Sequence, residues 1–161
     1  MKKLFSLLLI FVFISCSEEP DFPDSTIGGG GTGWLIDRTK IFDGGPGKDG
    51  IPALENPDMA SIGSSDLDIL TDEDLVLVYK SGSVVKAYAH PILDWHEIIN
   101  DEINGEHIAI TYCPLTGTGI GWGREINSEV TTFGVSGLLF ETNLIPYDRL
   151  TDSNWSQMYN K

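Results

Sequence analysis

Basic residues are scarce in this sequence. Its 161 residues include 10 Lys and Arg against 24 Asp and Glu, which gives a formal net charge of −14 at pH 7. Proteins that bind nucleic acid neutralise phosphates with Lys and Arg, so this balance excludes nucleic acid as a partner. The acidic surface instead favours solubility and repulsion from anionic lipid headgroups.

Cysteine is scarce too, since Cys16 and Cys113 are the only two. Cys16 follows a short basic start and the apolar run 4–14, a combination typical of a secretory signal. The Ser15-Cys16 junction resembles the lipobox of bacterial lipoproteins, in which the cysteine is lipidated and becomes the mature N-terminus. A diacylglycerol with an amide-linked chain such as palmitate exceeds the two signals needed for stable anchoring. We therefore expect lipidation at Cys16; an incidental cysteine or an uncleaved anchor is the alternative.

This anchor predicts attachment to the bacterial cell envelope, at the outer membrane, on its periplasmic or its surface-exposed side. Removal of residues 1–15 leaves 8 basic and 24 acidic residues, a formal charge of −16. An acylated Cys16 leaves Cys113 without an intrachain disulfide partner. Glu18-Glu19 resembles the acidic export signals of surface lipoproteins in Bacteroidetes-type bacteria, although ordinary linker acidity explains it equally well.

Composition divides the chain into three segments. We predict a lipoprotein signal peptide over 1–15, a lipidated cysteine with a flexible acidic and glycine-rich tether over 16–33, and a single folded domain over 34–161. Four consecutive glycines, 28–31, make the tether unable to bury apolar surface.

The periodicity of the domain predicts mostly strands. Leu75–Tyr79 and Val84–Tyr88 flank a short polar turn and indicate a hairpin. Pro91–Asn100 is predicted as a helix, because proline suits a first turn and apolar residues share one helical face, namely Ile92, Trp95, His96 and Ile99. Further strands are predicted over residues 107–113, 119–126 and 130–135. The fold class is therefore α+β, mainly antiparallel sheet with one short helix at about 91–100 and long ordered glycine-rich loops.

Several well-known site motifs are missing. Gly47-Lys48 is followed by Asp49 rather than Ser or Thr, which does not fit a phosphate-binding P-loop. No pair of histidines has the spacing of a zincin helix. Ser136 lacks the glycine spacing of a nucleophile elbow. The sequence thus indicates neither a nucleotide-binding protein nor a serine hydrolase.

His96 and Cys113 are the residues best suited to chemistry. His96 is either a core histidine or a ligand or acid-base group. Cys113 is either a small buried side chain at a strand end or a working thiol, because a glycine- and threonine-rich stretch with backbone N–H donors follows it. Together with His90 and His107 they would suit copper or zinc, although their spacing matches no short metal motif.

Four strings make the chain recognisable: "DGGPGKDGIPAL", "AYAHPILDWHEIIND", "TYCPLTGTGIGW" and "FGVSGLLFETNLIPYDRLTDSNWSQ". In this order and spacing they resemble the bacterial and archaeal family catalogued as domain of unknown function 3179. The resemblance covers about residues 34–157. It implies an extracytoplasmic domain without an established activity.

Two departures from the family pattern affect the predictions. Members usually carry a second cysteine where this chain has Thr116, so a vicinal redox pair or chelate with Cys113 is lost. Members also continue well beyond the "WSQ" string, so the resemblance implies a chain truncated at its C-terminus.

The leading hypothesis is a small-ligand-binding or metal-binding module, with copper or zinc on His96 and Cys113. The resemblance and the polar strings place the ligand-binding candidates at Asp43, Lys48, Asp49, Glu97, Asn100, Asp101, Thr116, Thr118, Asn143, Arg149 and Gln157. One alternative is a thiol-dependent enzyme with Cys113 as nucleophile, His96 as base and Asp101 or Asp148 as the orienting group. A second alternative is a structural or adhesive protein whose protein partner is unknown.

Overall fold

The structure is a computed structural model, and it describes residues 33–159. The predicted signal peptide, Cys16 and all of the tether except Gly33 lie outside the described residues. Within this range no helix is both long and apolar enough to cross a membrane. In chain order the elements are β1 Ile41–Asp43, β2 Leu54–Glu55, β3 Val76–Ser81, β4 Val84–Ala89, α1 His90–His96, β5 Ile98–Ile103, β6 Glu106–Cys113, β7 Thr118–Gly123, β8 Glu125–Ile126, β9 Glu129–Val130, β10 Phe133–Phe140 and β11 Asn143–Asp148.

The strands form two main sheets and two hairpins. The central sheet has the order β2-β5-β6-β7, and only its β2-β5 pair is parallel. The second sheet has the order β1-β10-β11 and is antiparallel throughout. The hairpins are β3-β4 and β8-β9. This confirms the predicted α+β class with mainly antiparallel strands and one short helix.

Strand β6 supplies both hydrophobic cores because its side chains alternate between the two faces of the central sheet. Ile108, Ile110 and Tyr112 point to a core shared with Tyr88 of β4 and Leu93 of α1. The residues between them point to a second core, which contains Ala109 and Cys113 of β6 and also Trp122, Phe133, Val135 and Leu144. The central sheet is thus covered by β3-β4 and α1 on one face and by the second sheet on the other.

The β3-β4 hairpin packs closely on β7 because the β7 residues that face it, Gly119 and Gly121, are glycines. A Cβ added to Gly119 would lie 2.4 Å from Leu77, and one added to Gly121 would lie 3.2 Å from the Tyr79 ring. These glycines therefore let β3 approach the central sheet more closely than any side chain would allow. The predicted hairpin is confirmed, with Gly82-Ser83 as a shorter turn than expected.

The predicted helix is present but shorter than expected, because it ends at His96 instead of Asn100. Glu97 takes a φ of +55°, which ends the helix, and β-branched Ile98 and Ile99 then pair with β6 in β5. The prediction that Trp95 lies on the buried apolar face of the helix is wrong, because this side chain is 77% exposed.

Two predicted strands are also interrupted. The 119–126 segment breaks at Arg124, whose backbone N–H bonds to His107, and the 130–135 segment breaks after Val130. Between the breaks, β8 and β9 join through Asn127 and Ser128, which both have positive φ as a tight hairpin turn requires.

Candidate functional site

The glycine-rich loop between β1 and β2 is docked on β10 by its backbone. Gly44 N–H donates to Gly137 at 2.7 Å, and Asp49 N–H donates to Val135 at 2.8 Å. Gly137 has a φ of +82°, and a Cβ there would lie 2.6 Å from the Gly47 backbone. Two backbones can approach this closely only without side chains between them, so the glycines determine where the loop holds Lys48 and Asp49.

Lys48 and Asp49 meet the end of β11 in a group that we call the Tyr147 cluster: Lys48, Asp49, Glu55, Tyr147, Arg149 and Asp152. The Tyr147 hydroxyl donates to Asp49 at 2.5 Å, and Arg149 donates to Asp49 at 3.0 Å and to Glu55 at 2.8 Å. Lys48 pairs with Asp152 and lies 4.2 Å from the centre of the Tyr147 ring.

The electrostatics of the Tyr147 cluster indicate a structural role, in which the cluster holds the glycine-rich loop to the end of β11. Burial raises the pKa of the Tyr147 hydroxyl, so it stays a neutral donor at physiological pH. Burial alone lowers the pKa of Arg149, but its contacts with Tyr147 and Asp49 outweigh that effect and raise it. The side chains of these ion pairs are 31% to 69% exposed, and such pairs contribute little stability each. Both cations already have carboxylate partners, so the cluster offers no unpaired positive charge to an anion.

A second polar group, the amide network, lies at the opposite end of β11. The buried Asn143 amide donates to Thr116 at 3.0 Å and to Gln157 at 2.9 Å. Gln157 in turn donates to the Thr111 hydroxyl at 3.0 Å and to the Thr118 carbonyl at 3.1 Å. These amides join β6, β7 and β11 to the segment after β11, and the amide N–H donors of both side chains bond to groups inside the protein.

Seven of the predicted ligand residues therefore fall into two groups: Lys48, Asp49 and Arg149 belong to the Tyr147 cluster, and Thr116, Thr118, Asn143 and Gln157 belong to the amide network. Asn143 begins β11 and Tyr147 lies four residues further along it, so the amide network and the Tyr147 cluster are about 13 Å apart at the usual rise of roughly 3.3 Å per residue. A single pocket that contains all of the predicted ligand residues gains no support from this placement.

Cys113 lies in the second core and is 1% exposed. Its thiol donates to the Thr142 carbonyl at 3.5 Å. The stretch after it is a four-residue turn and then β7, so the N–H of Thr116 bonds to Cys113 O and is not available to an anion. The geometry favours a buried structural cysteine.

His96 is engaged elsewhere. Its Nδ1 lies 2.8 Å from the Pro52 carbonyl, and because a carbonyl only accepts, Nδ1 carries the proton and Nε2 the lone pair. This leaves a basic nitrogen on a half-buried ring, but the described residues give it no hydrogen bond to Cys113.

The two aspartates suggested as orienting groups bond to other partners. Asp148 is fully buried and accepts from Leu150 N–H, from the Thr151 N–H and hydroxyl and from the Trp155 indole. Asp101 accepts from Lys86 at 2.8 Å and from the Tyr88 hydroxyl at 3.0 Å. The thiol-enzyme hypothesis consequently stays a prediction without support from contacts.

The remaining candidates are placed as follows. Asn100 bonds twice to the Phe133 backbone, at 2.8 Å each, and so links β5 to β10. Asp43 accepts from Gly45 N–H within its own turn. Burial raises the pKa of Glu97, whose carboxylate has no hydrogen bond or ion pair within residues 33–159. In the same range no three His, Cys, Asp or Glu side chains come together as metal ligands, so the copper or zinc site on His96 and Cys113 stays a prediction.

Sequence reasoning missed an apolar cavity of about 250 Å³ between the 57–70 loop, β4, α1 and β5. Its walls include Leu54, Leu67, Leu70, Tyr88, Ile92 and Ile99. Asp58 and Asp66 line it as well, and both are exposed residues, so they stand at its mouth. The signal in the sequence was "SSDLDILTDEDL", where aliphatic residues alternate with acids in a loop too long to be a plain connection.

A more polar cavity of about 330 Å³ opens near the β5-β6 turn. Two of its lining residues already form hydrogen bonds with other groups of the protein. Glu106 accepts from Tyr79 and Ser81, and Arg124 donates to three backbone carbonyls. The apolar cavity is therefore the better candidate for a ligand site.

Comparison with known proteins assigns the family without assigning a reaction. A family model described as "Protein of unknown function (DUF3179)" matches residues 48–161. No curated protein and no solved structure matches the chain significantly. The matched segment contains the Tyr147 cluster, the amide network and the apolar cavity, and on this match over most of its length the chain belongs to the DUF3179 family.

Proposed function

We propose that this domain is a small-ligand-binding module and that the apolar cavity holds the ligand. The observation that carries the proposal is the cavity itself, a concave site of about 250 Å³ with aliphatic walls and two carboxylates at its mouth. Ligand sites in proteins are typically apolar hollows with a few placed polar groups.

Hydrogen bonds hold the cavity walls in position without a ligand. The Tyr88 hydroxyl donates to Asp101, and burial raises the pKa of Tyr88 well above its usual range, so it remains a donor. On the loop side, Asn56 N–H donates to Asn100 at 2.7 Å and Leu70 N–H to Leu67 at 2.9 Å. A preformed site loses less conformational entropy when a ligand binds.

We further propose that the module is held at the bacterial cell envelope by a lipid on Cys16, facing the periplasm or the exterior at the outer membrane. The basic start, the apolar run and the Ser15-Cys16 junction support this. Metabolic labelling with an alkynyl fatty acid tests it: label on the unaltered chain and none on Cys16→Ser is expected, and equal labelling of both would contradict it.

Binding is tested on the full chain in lipid nanodiscs by methyl NMR of its Ala and Ile residues. We expect 2-phenylethanol to shift the methyls of Ala89, Ile92 and Ile99, with subtraction of its partitioning into empty nanodiscs. Ala87→Phe partly fills the cavity from an exposed position and should weaken the shifts at least about fivefold. Val78→Phe is the matched control, because Val78 pairs with Ala87 across the hairpin but does not line the cavity.

The proposal fails if no cavity methyl shifts up to the solubility limit, or if both phenylalanine variants bind alike. The structural or adhesive alternative predicts that outcome, together with the loss of a protein partner when the tether is deleted.

A further inference from the structure

We infer that the ligand of the apolar cavity is a small amphiphilic cation, an apolar body of roughly ten non-hydrogen atoms with an ammonium group. This inference rests on the proposed binding function and specifies its ligand. Three observations carry it: the charges that line the cavity, the absence of protein partners for them, and the cavity volume.

The charged side chains that line the cavity are both acidic. Asp58 and Asp66 are its lining carboxylates, and no Lys, Arg or His from the described part of the chain lines it. A ligand with a negative group would meet like charge at the mouth, whereas an ammonium group would meet two acceptors.

Neither of these two carboxylates pairs with a cation of the described residues. Asp58 makes no hydrogen bond or ion pair within the described residues 33–159, and Asp66 accepts only from Ser64, at 2.9 Å and within its own turn. Elsewhere in the domain, Lys86 neutralises Asp101 and Arg149 neutralises Asp49. The mouth of the cavity therefore keeps negative charge that no cation among residues 33–159 neutralises, in a chain that is already strongly acidic.

The volume sets the size of the apolar body. An apolar cavity of about 150 Å³ holds benzene, which has six carbon atoms, so about 250 Å³ corresponds to roughly ten non-hydrogen atoms. The deep walls are aliphatic and aromatic while the acids are exposed at the mouth, so the ligand would insert its apolar end first and leave its charged group at the surface.

Three probes of nearly equal size separate charge from shape: 2-phenylethylammonium, 2-phenylethanol and phenylacetate. They are titrated into the full chain in nanodiscs, with the methyl shifts of Ala89, Ile92 and Ile99 as the readout. We expect affinity to fall in that order, with at least about a tenfold difference between the cation and the anion. The preference should weaken as salt is raised, because exposed charges are screened.

Asp58→Asn with Asp66→Asn should bring the three affinities within about twofold of one another. Asp72→Asn is the control, because it removes an exposed loop carboxylate that does not line the cavity. If the double variant does not fold, the order of the three affinities for the unaltered chain and their salt dependence decide whether the cavity prefers a cation.

The three titrations distinguish a wrong cation preference from a cavity that binds no ligand. If all three probes shift the cavity methyls with equal affinity, the site binds ligands but the cation preference is wrong. If none shifts them, or if shifts appear only at other residues, the cavity is not a ligand site and both proposals are overturned.

Discussion

Tyr147 donates a hydrogen bond of 2.5 Å to the carboxylate of Asp49, which lies 98 residues earlier in the chain. This bond ties the end of β11 to the glycine-rich loop. Because Tyr147 is buried and Asp49 is charged, Tyr147→Phe should lower the free energy of unfolding by about 1 kcal/mol, measured by urea denaturation.

A double-mutant cycle with Asp49→Asn tests the pair directly. Coupling of at least about 0.5 kcal/mol is expected for residues in direct contact. Strictly additive effects would show that the two side chains act independently.

The glycine face of β7 gives a second prediction. Gly119→Ala places a methyl group 2.4 Å from Leu77, so the hairpin must shift, and we expect a loss of about 1–3 kcal/mol. Gly123→Ala is the control, because nothing lies within 4 Å of its added Cβ and a less flexible unfolded chain should make it neutral or slightly stabilising. Equal urea midpoints for the two variants would contradict close packing of β3 on β7.

Arg124 is a third target, because its buried guanidinium donates to the backbone carbonyls of Ile108, Thr131 and Asp101. Burial lowers its pKa more than the charges of nearby acids raise it, and among residues 33–159 it forms no ion pair. Lysine cannot reach three carbonyls in a plane, so Arg124→Lys should cost about 2–4 kcal/mol. Arg149→Lys, at a position one third exposed, should cost clearly less, and the reverse order in urea unfolding would refute this role.

The position of Cys113 predicts how its thiol reacts. In the full chain with Cys16→Ser, iodoacetamide should label Cys113 only as fast as the protein opens, because the thiol is 1% exposed. Labelling is followed by mass spectrometry with and without urea. Rapid labelling of the folded protein would revive the thiol-enzyme hypothesis.

Glu97 gives a prediction about pH. Burial raises its pKa in the folded state above that in the unfolded chain, so the folded protein holds this proton more tightly and the ionised form is destabilising at pH 7. Glu97→Gln should therefore stabilise the protein at pH 7, and the gain should disappear as pH falls to about 4.

Urea unfolding at a series of pH values measures this difference. Glu73→Gln is the exposed control. A stabilisation of Glu97→Gln that does not change with pH would rule out ionisation as its cause.

The elements that could be predicted from the sequence are those with a local signal. The hairpin has β-type runs around a glycine turn, and the start of α1 has its proline in the first turn. The end of α1 was missed because tertiary pairing with β6 draws Ile98 and Ile99 into a strand, which helical spacing cannot reveal. Strand β11 was missed because its six residues are all buried, so no alternation marks it.

The candidate site shows the same limit. The glycine-rich loop was predicted as an ordered loop, but its docking on β10 could not be predicted, and the polar residues of the strings bond to one another in two groups near the ends of β11 instead of facing a common pocket. The cavity is built by loop residues whose aliphatic side chains meet α1 and β4 only after folding, so the alternation of aliphatic and acidic residues in the loop does not reveal what they pack against.

The alternation of β6 side chains between the two faces of the central sheet also affects how the domain unfolds. Five of the eight residues of β6 supply side chains to the two cores, and its backbone pairs with β5 on one side and β7 on the other. Neither core can lose its packing while β6 stays in place for the other, so partial opening that spares one half of the molecule is disfavoured. Amide protons of β6 should therefore exchange with solvent only through global unfolding, and their slowest rates measure the stability of the whole domain.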